Sequence, residues 1–294
     1  MPSFDTPTPI SATVDIVLGD IRFVATDRTD TVVQVHPIDP SRKLDIEAAA
    51  QVTVEYADGT LLVKHPKLRS AFARRHGSVR VLVELPTGSD VRGDTAEGEY
   101  QVQGVVGACR LTNAIGDIRV GRAAEVRLKT SGGKVTVDHV SGRADVSGNG
   151  AVRIGRVGGD AVVKNIGGDI WVGEAGGDLR ADTATGAVTV DVARAAVTAK
   201  TATGDIRVGE LGVDTVDLYA AVGTLEVGVP HGMAVVLEAH TPTGRVRSHL
   251  DAVAATPTER TVTVRARTSG GDVIVRRAPS AHPERRDVAL PAVR

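Results

Sequence analysis

The feature that most constrains this chain is a short phrase that returns at a nearly fixed interval. Gly116-Asp117-Ile118-Arg119-Val120-Gly121 comes back as Gly168-Asp169-Ile170-Trp171-Val172-Gly173 and again as Gly204-Asp205-Ile206-Arg207-Val208-Gly209. Looser copies of Gly-x-aliphatic-x-aliphatic begin at Gly133, Gly150, Gly186, Gly223 and Gly271. The leading glycines stand at Gly98, Gly116, Gly133, Gly150, Gly168, Gly186, Gly204, Gly223, Gly244 and Gly271, giving intervals of 18, 17, 17, 18, 18, 18, 19, 21 and 27 residues. A fixed period of this kind means stacked like units, none of which can bury its apolar face alone. The wider final intervals read as insertions followed by a terminal cap.

Each period holds a second pattern. Seven and five residues before the leading glycine stands another apolar pair, as in Cys109 with Leu111, Val126 with Leu128, Leu179 with Ala181, Val197 with Ala199 and Val216 with Leu218. Three before it stands a small polar residue, as in Asn113, Thr130, Asn165, Thr183, Thr201 and Thr241. Alternation of period two marks a strand with one buried face. The fold expected is therefore all-β: a parallel β-solenoid of roughly ten coils, with about 18 residues and two short strands per coil. Parallel pairing would raise each coil by about 4.8 Å. Aromatics make up only 2% of the residues, so aliphatic side chains are expected to fill an interior too narrow for rings. The leading glycine should take a positive φ at a corner. The Thr/Asn series should form a hydrogen-bonded ladder along the stack.

The expected organisation has four parts. Residues 1–9 are a flexible start, 10–90 an irregular β-rich cap, 91–278 the repeats and 279–294 a disordered tail rich in Pro, Arg, His and Ala. Within the cap, Asp39-Pro40-Ser41 should start a helix running to about Ala50. Val52 to Tyr56, an Asp58-Gly59 turn and Leu61 to Val63 should form a hairpin.

Several function classes fall away. The formal net charge of −1 gives no global field toward nucleic acid or an anionic membrane. One cysteine, Cys109, excludes an intrachain disulfide, and its inward position reads as a buried inert thiol. No apolar run reaches the ~18–20 residues of a membrane span. Met1 to Pro9 lacks the basic and apolar regions of a secretory signal, so a cytoplasmic location is expected. The eight histidines show no ligand spacing, and neither a cofactor nor a metal is expected.

The chemistry-bearing residues have bland readings beside sharp ones. Gly158-Gly159-Asp160, Gly167-Gly168-Asp169 and Gly176-Gly177-Asp178 repeat every nine residues, as calcium-binding β-rolls do. Val162, Lys164, Trp171 and Gly173 occupy the positions that would need further ligands, so turn chemistry is the reading preferred. Asp117, Asp169, Asp205 and Asp272 share one position on different coils, but Lys134, Ala151 and Ala187 interrupt them. An acid–base pair over neighbouring coils is not expected. Trp171, the only tryptophan, should point outward between Arg153 and Thr189. It is either a contact platform or flat packing against Arg153. A basic stretch holds Lys64, Lys67, Arg69, Arg74, Arg75 and Arg80 with a single ring, Phe72, and reads as a loop joining two strands.

One resemblance runs through most of the chain, roughly residues 10–276. The opening Ile10 to Phe23 with its Gly19-Asp20-Ile21, the strand Leu61 to Val63, and Val81 to Ser89 lead directly into the repeated Gly-Asp-Ile-x-Val. Together they resemble the bacterial putative-adhesin family, a β-strand-repeat domain of unknown function. The resemblance implies a solenoid and surface or partner binding, and brings no catalytic residues. The function expected is a non-enzymatic binding or scaffold protein, monomeric or weakly oligomeric, for an unknown protein or a surface glycan. Alternatives are a β-helix that binds or degrades polysaccharide, and a self-assembling structural protein. Candidate contact residues are Trp171, Arg153, Lys64, Lys67, Arg69, Arg74 and Arg75.

Overall fold

The computed structural model describes residues 2–66, 77–212, 215–250 and 260–279. The tail from 280 and most of the basic stretch, with Lys67, Arg69, Arg74 and Arg75, lie outside the described residues.

The repeats form parallel coils in the expected register. On one face Ile118, Val135, Val152, Ile170, Val188, Ile206 and Leu225 stand in one column, each paired with the next. On the other face Val126, Ala144, Ala161, Leu179, Val197 and Val216 do the same. These side chains are all buried. Each such aliphatic contributes about 1.5–3 kcal/mol when it leaves water. The coil thus hides what a single turn of chain would expose.

A third inward column lies between the two faces. Ala123, Val140, Val157, Ala175, Ala193 and Leu211 pair coil by coil and are buried. In each strand two consecutive residues that are not buried precede the column's residue, as Gly121 and Arg122 precede Ala123, and this break in the alternation turns the next side chain inward. The sequence pattern of two alternating strands had no place for it.

The corner glycines behave as expected at most positions. Gly186 has φ +134° and Gly204 φ +143°. A Cβ on Gly204 would collide with the carbonyl oxygen of Gly186 one coil below. A residue with a side chain is therefore opposed twice here, by backbone conformation and by space. Gly150 and Gly244 keep ordinary φ but meet the same close approach.

The Thr/Asn series is buried, except for the half-buried Thr241, but does not bond along itself. Asn113 Nδ2 donates to the carbonyls of Gly98 and Gly116 at 3.1 and 2.9 Å. Thr201 Oγ1 donates to Gly186 O at 3.1 Å, Thr268 Oγ1 to Gly223 O at 2.9 Å and Thr241 Oγ1 to Gly271 O at 2.8 Å. The expected side-chain ladder is replaced by bonds to corner carbonyls, which the turned glycine backbone presents to the interior. The ladder is also interrupted in sequence, since Asn165 pairs with Gly148.

Both ends depart from sequence order. The coil of Leu225 pairs directly with that of Val273, and Val246 pairs on the far side of Val273. Arg260–Gly270 likewise lies between Thr215–Val222 and Met233–His240. The last coil in sequence is the penultimate one in space, which corrects the expected terminal cap. The beginning mirrors this. Gly19–Thr26 lies between Val79–Pro86 and the start of Tyr100–Ile115. Ser11–Asp15 lies between Thr60–Lys64 and Asp90–Glu97.

The first end is closed by reversed strands. Asp30–Pro37 runs antiparallel along Val79–Pro86, and Thr53–Ala57 runs antiparallel along Thr60–Lys64. The latter pair forms the expected hairpin, with Asp58 at φ 49° and Gly59 at φ 73°. The helix Lys43–Gln51 joins these two reversed strands and packs on the first. It begins later than expected. Asp39 Oδ1 instead accepts from the Ser41 main-chain N–H at 2.9 Å and its hydroxyl at 2.7 Å, closing a local turn before the helix.

Rings gather at this end, against the expectation of an interior too narrow for them. Tyr100 and Phe23 are fully buried. Gly93 stands opposite Tyr100, and a Cβ there would strike the phenol ring. A missing side chain on one wall makes room for a large one on the other.

Candidate functional site

The corner aspartates come first, because a solenoid enzyme would use such residues. Lys134 N–H donates to Asp117 Oδ1 at 2.9 Å, Ala187 N–H to Asp169 Oδ1 at 2.8 Å, Thr224 N–H to Asp205 Oδ1 at 2.7 Å and Arg245 N–H to Asp272 Oδ1 at 2.9 Å. Each carboxylate therefore ties the corner of its own coil to the main chain of the next. Where the next coil begins with Lys, Ala, Thr or Arg, the aspartate beneath it supplies the acceptor.

The nine-residue series works the same way. Asp178 N–H donates to Asp160 Oδ1 at 3.0 Å, and Ala196 N–H to Asp178 Oδ1 at 3.2 Å. Asp160 and Asp178 precede strands of one face, whereas Asp169 precedes a strand of the other. Nine residues are half a coil, so these carboxylates do not converge on one ion. Among the described residues no cluster of His, Cys, Asp or Glu could hold a metal.

Trp171 stands where alternation puts it, paired with Arg153 on one side and Thr189 on the other. The Arg153 guanidinium carbon lies 3.8 Å from the Trp171 ring centroid. The ring also covers Gly173, where a Cβ would come within 2.9 Å of it. The indole is thus half-buried, laid along the surface and held by a cation. Lys64 is elsewhere. It ends a strand of the opposite face, beside Asp15, in the coil nearest the helix. Six steps of about 4.8 Å separate the two coils, roughly 29 Å along the stack. The structure does not bring Lys64 to Trp171.

Charge on the first face is largely paired. Arg156, Glu174, Arg194 and Glu210 link successive coils at 3.4, 3.5 and 3.8 Å. Exposed pairs like these fix side chains more than they add stability.

A depression of about 780 Å³ lies on the second face, where no motif of the sequence marks it. Tyr219 is 46% exposed in it, with Lys200 and Arg267 as its neighbours on the adjacent strands. Beside them Arg265 bridges Glu238 at 3.1 Å and Asp217 at 3.9 Å. The signal in the sequence was only half present. Tyr219 lies between inward Leu218 and Ala220 and so reads as outward. Arg265 and Arg267 lie beside Asp217 and Tyr219 only because their strand is inserted out of order.

Cys109 is fully buried, as expected, and burial pushes its thiol up to about 12. No helix among the described residues is long and apolar enough to cross a membrane.

No protein-family model matches the chain, and no curated protein matches it. Solved structures do. A putative adhesin from Parabacteroides merdae is 12% identical, with 93% of this chain and 94% of that chain covered and a TM-score of 0.42. A putative adhesin from Bacteroides fragilis is 12% identical over 93% and 95% of the two chains, with a TM-score of 0.38. A structure from Parabacteroides distasonis named as a putative lipid binding protein is 10% identical over 94% and 96%, with a TM-score of 0.30. Likeness at these scores carries no argument, so the fold stands on the strand register above.

Proposed function

We propose that the chain is a non-enzymatic binding or scaffold protein of the adhesin type. It engages an extended partner, protein or surface glycan, through the outer faces of its stack. The observation that carries this reading is the use of the corner carboxylates. Asp117, Asp169, Asp205 and Asp272 each spend an oxygen on a main-chain N–H of the next coil. A general acid or base needs its oxygens directed at substrate. The residues best placed for polysaccharide cleavage thus hold the coils together, and what the faces offer is surface: Trp171 laid on Arg153, and the depression around Tyr219.

The test is affinity electrophoresis of the full-length protein through gels containing single polysaccharides, with a reducing-end assay on the same polymers. Retardation in at least one gel without new reducing ends is the expected result. New reducing ends that disappear in Asp169→Asn or Asp205→Asn would overturn it in favour of a degrading enzyme.

A further inference from the structure

We propose that the depression around Tyr219 is a binding site for an acidic polysaccharide, of the polyuronic type; this rests on the binding-protein reading. Three observations carry it. First, the outward row of the second face reads Lys200, Tyr219, Arg267 on successive strands. Adjacent parallel strands step by about 4.8 Å, close to the length of one sugar ring in an extended chain. A polymer lying along the stack would set one ring over Tyr219, with its neighbours beside Lys200 and Arg267. Those two cations are two steps apart and so meet carboxylates on alternate units.

Second, no salt bridge among the described residues uses Lys200 or Arg267, while Arg265 beside them is shared between Asp217 and Glu238. The cleft therefore sets two cations with no carboxylate partner among the described residues beside fixed carboxylates. Fixed carboxylates accept hydrogen bonds from sugar hydroxyls.

Third, the balance is modest, three cations against two carboxylates around the opening. A dense phosphate backbone would be repelled by Asp217 and Glu238, whereas a chain of hydroxyls with spaced charges satisfies both kinds of group. The exposed face of Tyr219 supplies the apolar platform for a ring.

The experiment is isothermal titration of the full-length protein with a polygalacturonate oligomer, a neutral dextran oligomer of equal length, and polyphosphate. The expected result is binding of polygalacturonate only. It should weaken by about tenfold or more in Tyr219→Ala and in the double variant Lys200→Ala with Arg267→Ala, and stay within about twofold in Tyr219→Phe. Tyr219, Lys200 and Arg267 are all outward, and thermal melts of each variant separate lost binding from lost fold. Polygalacturonate binding that survives Tyr219→Ala but is lost in Trp171→Ala overturns the site and leaves the binding-protein reading standing. So does retention of a neutral polymer alone. Equal binding of polyphosphate overturns the assignment to a saccharide.

Discussion

Val188 and Thr189 are chain neighbours with opposite fates. Val188 is fully buried between Ile170 and Ile206, while Thr189 faces outward between Trp171 and Arg207. Val188→Asp places an unpaired charge among aliphatic side chains and should destabilise by roughly 3–5 kcal/mol. Thr189→Asp gains Arg207 as a neighbour and should stay within about 0.5 kcal/mol. Urea unfolding of both variants checks this, and equal losses would contradict the register. The buried acids give a pH dependence with a definite sign. Burial raises Cys109 to about 12 and also raises Tyr100, so both bind their protons more tightly folded than unfolded. Their contribution is complete below the unfolded thiol's ordinary pKa of about 8.5. It is lost as pH rises through the unfolded and toward the folded values. Stability should therefore decline above about pH 9, and native Cys109 should resist alkylation at pH 8 until the chain is unfolded.

At the scale of the element, alternation made most of the architecture legible. Period-two pairs such as Val135 with Val137 gave the strands, and the glycine interval gave the coil. The third inward column escaped because Ala123, Val140 and Val157 each stand alone at a corner, with no alternating partner to betray them. The Thr/Asn column, expected to bond along the stack, bonds instead to corner carbonyls. Side-chain identity shows that a donor exists, whereas the direction of a glycine carbonyl depends on a backbone angle that no composition reports. That carbonyl geometry makes its own prediction. Gly186→Ala should cost more than an ordinary mid-strand glycine change, since φ +134° and the approach to Gly168 O both oppose it. A melting temperature within a degree or so of the parent, against the expected drop of several degrees, would contradict it.

For the whole molecule, the unexpected feature is that both ends are interleaved. A stack of like coils presents the same edge at every level, so a coil fits wherever its register matches. Sequence order therefore does not fix spatial order, and neither the Tyr219 depression nor the inserted strands could be read from the chain alone. At one end Ser11–Thr26 is clasped between later coils, and at the other Arg260–Arg277 separates two earlier ones. Removing residues 260–294 should then leave Met233–Ser248 without the neighbour on which it rests. Hydrogen exchange should report loss of protection throughout that coil, while Val188 and Val190 stay protected. The most direct test of the interleaved solenoid is thiol cross-linking with the shortest bifunctional reagent. One variant carries Tyr219→Cys with Arg267→Cys, the other Tyr219→Cys with His240→Cys, and Cys109 stays silent in its buried site. Rapid cross-linking is expected of the first pair, which are register partners, and little of the second, since His240 pairs with Arg267 one strand further out. Preferential cross-linking of the second pair would show that the coils follow sequence order and are not interleaved.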